Sequence, residues 1–444
     1  MSIIRDRFRL LRRGTSVFAL CLIGFAFIHC AVIAHETCQF PYMAKTTSQE
    51  EFIYVWTLGM EGLGDESDKL VTVDVRPNVP TYGKVINSVS IGGRHEARHS
   101  GFSDDRHYLW VAGLDNSEIF IFDVYCDPSE PKLHMRINDF VKYIEGAVGS
   151  DTFSALPGRV MISALSNDKN NSGVSALVDH SNEGKFLSAQ WIPKLGSMEG
   201  VKVEEVADGY NYDVRVQPRL NAILTTSFTG RSSDMMDFGK ITKDPVAMKR
   251  LGSIMTVRGG HTRKPKKVMR VPGAPLEVGW TWGSNSDYAF TSTALTSQLW
   301  LLHMNKNGEW QSKAVADIGD PKEIPLPVDM SISADEKELW VNTFLDGTTR
   351  LFDISNPFSP KQIYEKKIGA QVNTVSQSWD GKRVYYSTSL LANWDKKGKD
   401  NEQFVKAYDW DDKELKHRFT IDFIKEKLGR AHLMRFGSSS LYSG

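Results

Sequence analysis

The chain runs to 444 residues, 41% of them hydrophobic and 11% aromatic, which is ample for a buried core. Lys plus Arg and Asp plus Glu number 54 each, so the formal net charge is zero. No whole-protein field remains to hold nucleic acid or an anionic membrane surface, which excludes the partners that strongly charged chains recruit.

The first 34 residues differ from the rest. Arg5, Arg7, Arg9, Arg12 and Arg13 precede an apolar run from Val17 to Ile33, the charge order of an export signal, and Val32-Ile33-Ala34 supplies small residues before a cut. Residues 1–34 are therefore expected to be a signal peptide, 35–52 an N-terminal extension and 53–444 one folded domain, periplasmic or secreted. No second apolar stretch is long enough to span a bilayer, so no membrane contact is expected after cleavage; an uncleaved signal anchor is the alternative. Cleavage after Ala34 removes Cys21 and Cys30 and leaves Cys38 and Cys126, enough for one disulfide or for two separate thiols.

Downstream, one arrangement recurs: a polar turn with Asp, Asn or Gly, an apolar strand, a short gap and a second strand that often closes on Asp. It opens at Ile53 and continues to Leu70-Val71-Thr72-Val73-Asp74. Ser103-Asp104-Asp105 leads into Tyr108-Leu109-Trp110-Val111 and on to Ile119-Phe120-Ile121-Phe122-Asp123, and Ser333-Ala334-Asp335 repeats that spacing into Leu339-Trp340-Val341 and Arg350-Leu351-Phe352-Asp353. Weaker copies start near Val160, Ile223, Ala289 and Val384. About seven units at roughly 45 to 65 residues are the period of propeller blades, so the fold class is all-β, a seven-bladed β-propeller. Helical character is confined to Asp139–Ile144, Pro245–Arg250 and Phe423–Leu428. A ligand site in such a fold lies on the axis, drawn from residues far apart in sequence.

No glycine-rich phosphate loop, nucleophile elbow or Cys-x-x-Cys pair is present. Histidine is what remains for chemistry, and His99 and His432 sit in unusual contexts, Glu96-Ala97-Arg98-His99-Ser100-Gly101-Phe102 and Gly429-Arg430-Ala431-His432-Leu433-Met434. Cys38 is the thiol best suited to selenium or thiol chemistry. Tyr212-Asp213 and Asp329 stand at strand starts, where they face the axis or cap a turn.

Cys38, Pro41-Tyr42-Met43-Ala44-Lys45, Tyr54-Val55-Trp56-Thr57-Leu58-Gly59, Gln217-Pro218-Arg219, Pro275-Leu276-Glu277, Asp353-Ile354-Ser355-Asn356-Pro357 and Ser387-Thr388-Ser389-Leu390-Leu391-Ala392-Asn393-Trp394-Asp395 occur in an order that resembles the selenium-binding protein family, particularly its exported methanethiol oxidase branch. The resemblance implies a seven-bladed propeller and a copper-dependent oxidation of methanethiol, a small thiol, by oxygen and water to formaldehyde, hydrogen sulfide and hydrogen peroxide. It also implies copper ligands at His99 and His432, with selenium possible at Cys38. Imidazole and thiolate both suit copper.

Two departures bear on this. The family commonly has two adjacent histidines where this chain has Arg98-His99, and His-Thr where it has Asp151-Thr152. Arg98 stays protonated and cannot ligate, whereas Asp151 offers a hard oxygen and a partner for the arginine. The metal set expected is His99 and His432 with Asp151, and with His95 or Glu277 completing it; Asp213 is a further axial candidate. A non-catalytic propeller that binds selenium or a small ligand and has lost part of the metal site is the alternative. On the export reading, mass spectrometry of the mature protein shows a chain that begins at His35, and a chain retaining Met1 contradicts cleavage.

Overall fold

The computed structural model describes residues 49–168, 174–192, 208–283, 287–378 and 380–438. The expected signal peptide and Cys38 lie outside them. Among the described residues the chain forms seven four-stranded antiparallel sheets, each a blade. Blades 2 to 7 each take four consecutive strands and open with Ala97–Phe102, Ala147–Leu156, Val214–Gln217, Pro275–Trp280, Pro327–Ile332 and Val375–Gln377. Blade 1 is closed by both ends of the chain: Phe52–Leu58 pairs with the last strand, Arg430–Gly437, which is that blade's innermost. All seven repeat starts read from the sequence fall in the second strand of a blade.

Local chemistry explains the repeat. In blade 2 the Ser103 hydroxyl donates to Asp105 and accepts from the Tyr108 amide, while the Asp105 carboxylate accepts from the His107 amide. Ser333 with Asp335, and Ser378 with Asp380, repeat that turn in blades 6 and 7. The residue after each aspartate, Arg106, Glu336 or Gly381, has a positive φ, which tightens the hairpin between first and second strands. First strands are almost wholly buried and pack on their neighbours around the axis, whereas fourth strands such as Lys361–Lys367 expose residues along their length. Trp110 and Trp340 are fully buried, and Trp340 meets Trp410 edge-on at 5.0 Å.

One feature of the inner strands departs from regular pairing. In blades 2, 3, 5 and 6 the first strand carries an extra residue relative to its partner, at 98–99, 151–152, 276–277 and 328. In blade 1 the register skips His432 between Ala431 and Leu433. These β-bulges re-aim side chains that a regular strand would send to the blade faces.

Of the three expected helices, Pro245–Lys249 forms, Phe140–Tyr143 is a single 3₁₀ turn and Phe423–Leu428 is a run of turns. Lys427 has a positive φ there, which ends helical continuation. Among the described residues two further short α-helices and a 3₁₀ turn at Gly398–Asp400 were not foreseen, and the insertion inside blade 4 holds α1 (Arg231–Asp234), α2 (Phe238–Ile241) and α3 (Pro245–Lys249). The N-terminal approach is anchored by Glu50, fully buried, which accepts from the Arg383 guanidinium at 2.5 and 2.9 Å and from the Tyr385 hydroxyl at 2.8 Å. Glu50→Ala leaves Arg383 with Asp380 alone and is expected to cost about 3 kcal/mol in urea denaturation; a loss below about 0.5 kcal/mol contradicts the anchor.

Candidate functional site

The bulged inner strands converge on the axis. His99 sits at the centre: its Nδ1 lies 3.0 Å from Asp151 Oδ1 and its Nε2 3.1 Å from Glu277 Oε1. Burial opposes a charged imidazole, but the two carboxylates outweigh it and push His99 up to about 9. Arg98, one residue earlier and more deeply buried, shares Asp151 at 3.3 Å, reaches Asp234 at 3.8 Å and donates to the Leu390 carbonyl. The Arg98–Asp151 pair suggested by the sequence therefore forms.

Behind Glu277 stands Arg215, 3.0 Å from its second oxygen and 2.9 Å from Asp213. Burial favours the neutral carboxyl of Glu277, yet His99 and Arg215 hold it well below the usual range. Asp213 goes the other way, raised by burial and by the negative Glu277 despite Arg215. Asp329 is likewise pushed up to about 7 by burial and Glu277, and it accepts the Val375 amide at 2.8 Å.

His432, on the closing strand, has its ring centroid 5.5 Å from that of His99. Its Nδ1 lies 2.8 Å from the Ser389 carbonyl, which fixes the tautomer with that nitrogen protonated. Nε2 is buried and has no hydrogen-bond partner. Burial, with the nearby His99 and Arg98, keeps this ring neutral, its pKa well below the ordinary value.

The structure thus brings together His99, His432, Asp151, Glu277 and Arg98, with Asp213 behind them. It does not bring His95: that ring is held by the Gly92 carbonyl, Asn116 and Glu118 and packs edge-on to Phe120 at 5.2 Å, so its nitrogens are used by its own loop and by a hairpin of blade 2. Cys126 is exposed. Sequence reasoning missed Arg215, whose place two residues after Asp213 is its only local signal, and Asp234, which arrives on α1.

The donor set does not fit a three-ligand copper centre. Both nitrogens of His99 are engaged by carboxylates, the Arg98 guanidinium fills the neighbouring position, and among the described residues no three His, Cys, Asp or Glu side chains converge as metal ligands. Among the described residues, His432 Nε2 is the imidazole nitrogen at the axis without a hydrogen-bond partner.

Two cavities flank the network. On one side Arg215, Glu277 and Asp329 line a polar vestibule with Trp282 and Arg435. On the other, beyond Arg98 and Tyr212, an apolar cavity lies against α1–α3. The Tyr212 ring separates the two, edge-on to His99 at 5.5 Å and under Arg98 at 5.5 Å.

Residues 34–442 match the family described as 56kDa selenium binding protein (SBP56). A methanethiol oxidase of Ruegeria pomeroyi is 61% identical over 412 residues, 92% of this chain and 94% of that protein. A methanethiol oxidase of Hyphomicrobium sp. is 54% identical over 419 residues, 94% of each. In fold, a hypothetical selenium-binding protein from Sulfolobus tokodaii superposes with a TM-score of 0.73 at 23% identity, covering 88% of this chain and 94% of that one.

Because the folded pKa of His99 lies above its unfolded value of about 6.5, the network contributes its full stabilisation below about 6.5 and loses it as pH rises through about 9. NMR of the ring nitrogens is expected to show both protonated at pH 8, with the transition moved down in Asp151→Asn; a transition near 6.5 in the wild type contradicts the geometry.

Proposed function

We propose, from the premise that this chain belongs to the 56 kDa selenium-binding protein family, that it is a methanethiol oxidase. The observation that carries the reading is the near full-length likeness to two bacterial methanethiol oxidases. Methanethiol, oxygen and water go to formaldehyde, hydrogen sulfide and hydrogen peroxide: carbon loses two electrons as one of its C–H bonds breaks and its single bond to sulfur gives way to a double bond to oxygen, sulfur leaves as hydrogen sulfide, and dioxygen gains the two electrons with two protons as hydrogen peroxide. The substrate partners are a small thiol and oxygen.

The chain's own residues support the steps that precede electron transfer. Arg98 and the His99 imidazolium are fixed cations at the axis, and a sulfur beside the Arg98 guanidinium is drawn towards the thiolate by that charge, against the burial that opposes it. Asp151 holds both cations in place. The vestibule gives water and protons a polar route on the opposite side, past Glu277 and Asp329.

Copper belongs to the proposal through the resemblance alone, and it requires donors beyond those the described residues bring together. His432 Nε2 is the anchor the geometry offers for it. A second reading, a binding propeller without catalysis, is favoured by one observation: Arg98, Asp151, His99 and Glu277 satisfy one another's charge with no bound group. Export to the periplasm or beyond, where oxygen and volatile thiols are met, completes the proposal.

Purified mature protein given methanethiol and oxygen is expected to release formaldehyde, sulfide and peroxide in equal amounts. Absence of all three products contradicts the oxidase and leaves the binding propeller. Elemental analysis of the same preparation tests the copper that the resemblance brings: copper that His432→Ala removes supports that anchor, and unchanged copper in that variant rejects His432 as a ligand.

A further inference from the structure

The apolar cavity beyond Arg98 is a built site rather than a packing fault. Its walls are aromatic and aliphatic: Phe228, Phe238 and Trp394 stand with ring centroids 4.8 and 6.2 Å apart, and Ile241, Ala294 and Leu391 complete them. At its polar end lie Tyr212, Arg98 and Asp234. Asp234 is fully buried, and neither of its carboxylate oxygens accepts a hydrogen bond. Its charge is met by the Arg98 guanidinium at 3.8 Å, which closes that end of the cavity.

The cavity is small. It leaves about 20 Å³ for the centre of a water-sized sphere, and a single water needs about 10–15 Å³ on that measure. It therefore takes one or two water-sized groups, the size of a molecule with two heavy atoms. A thiol suits its chemistry: divalent sulfur packs well against aromatic ring edges beside the Arg98 cation, and the alkyl group needs apolar walls.

We propose that this cavity is the thiol chamber, with sulfur at the Arg98–Asp234 end and the methyl group against Phe228 and Trp394, and that Ile241, Ala294 and Leu391 limit it to a one-carbon thiol. Sulfur so placed is separated from the axial imidazoles by the Tyr212 ring, while Arg98 links it to His99 through the shared Asp151. What the bound thiol goes on to do rests on the oxidase reading; its binding does not.

The two are separated by titrating the full-length protein without oxygen, so that thiols bind but are not consumed. Trp394 lines the chamber and its indole N–H donates to the Asp234 carbonyl, so its fluorescence reports occupancy, with Trp394→Phe as the control. Methanethiol, ethanethiol and propane-1-thiol are expected to bind about tenfold more weakly for each added methylene. Ile241→Ala is expected to bring ethanethiol within about threefold of methanethiol, and Ala294→Leu to weaken methanethiol by about tenfold or more. Should Ala294→Leu fail to fold, Ile241→Ala decides alone. A response that persists in Trp394→Phe, or that ignores chain length in both proteins, overturns the chamber. Size-graded binding in a protein that consumes no oxygen with any thiol overturns the oxidase and leaves the chamber; oxygen consumption with methanethiol beside ungraded binding does the reverse.

Discussion

An extra residue in the innermost strand of a blade is a small irregularity, yet the site depends on it. A regular inner strand turns its backbone edge to the axis and sends alternate side chains into the two neighbouring blades. Where two residues face one on the partner strand, a side chain is released from that alternation. The bulges at 98–99, 151–152 and 276–277, with the register skip at His432, coincide with Arg98, His99, Asp151, Glu277 and His432, and the bulge at 328 directly precedes Asp329. At 98–99 two successive side chains both reach the axial cluster, which a straight strand does not allow. The blades around them need only ordinary turns and apolar faces.

Once gathered, these groups must neutralise one another, because charge buried without a partner is costly. Asp151 meets both Arg98 and His99, Glu277 meets both His99 and Arg215, and Asp213, beside the same arginine, is raised towards the neutral form. The network divides the axis into a polar side and an apolar side, with Arg98 and Tyr212 at the boundary. That division suits a reaction whose substrates are a volatile thiol and oxygen and whose products need water.

The blades were legible because their signals are local: the Ser-x-Asp turn and the apolar pairs that follow it lie within a single hairpin. His99, Asp151, Glu277 and His432 could be picked out through residue type and through departures from a familiar pattern. The bulges had no such signal, since nothing in Leu276-Glu277 or Asp151-Thr152 announces an extra residue, and Tyr212-Asp213 and Asp329 looked as much like turn caps as axial groups. Asp234 was invisible for another reason: its place is set by an insertion folding over a different blade. His95 stands away from the axial cluster, its ring held by Gly92, Asn116 and Glu118.

The central claim is that His99, held between two carboxylates at the axis, serves the oxidation of a small thiol. The most direct measurement is methanethiol-dependent oxygen uptake by wild-type and His99→Gln protein, with the melting temperature of each taken on the same samples. The account predicts a loss of at least about 100-fold in a variant that still folds. Uptake unchanged in folded His99→Gln protein would contradict it.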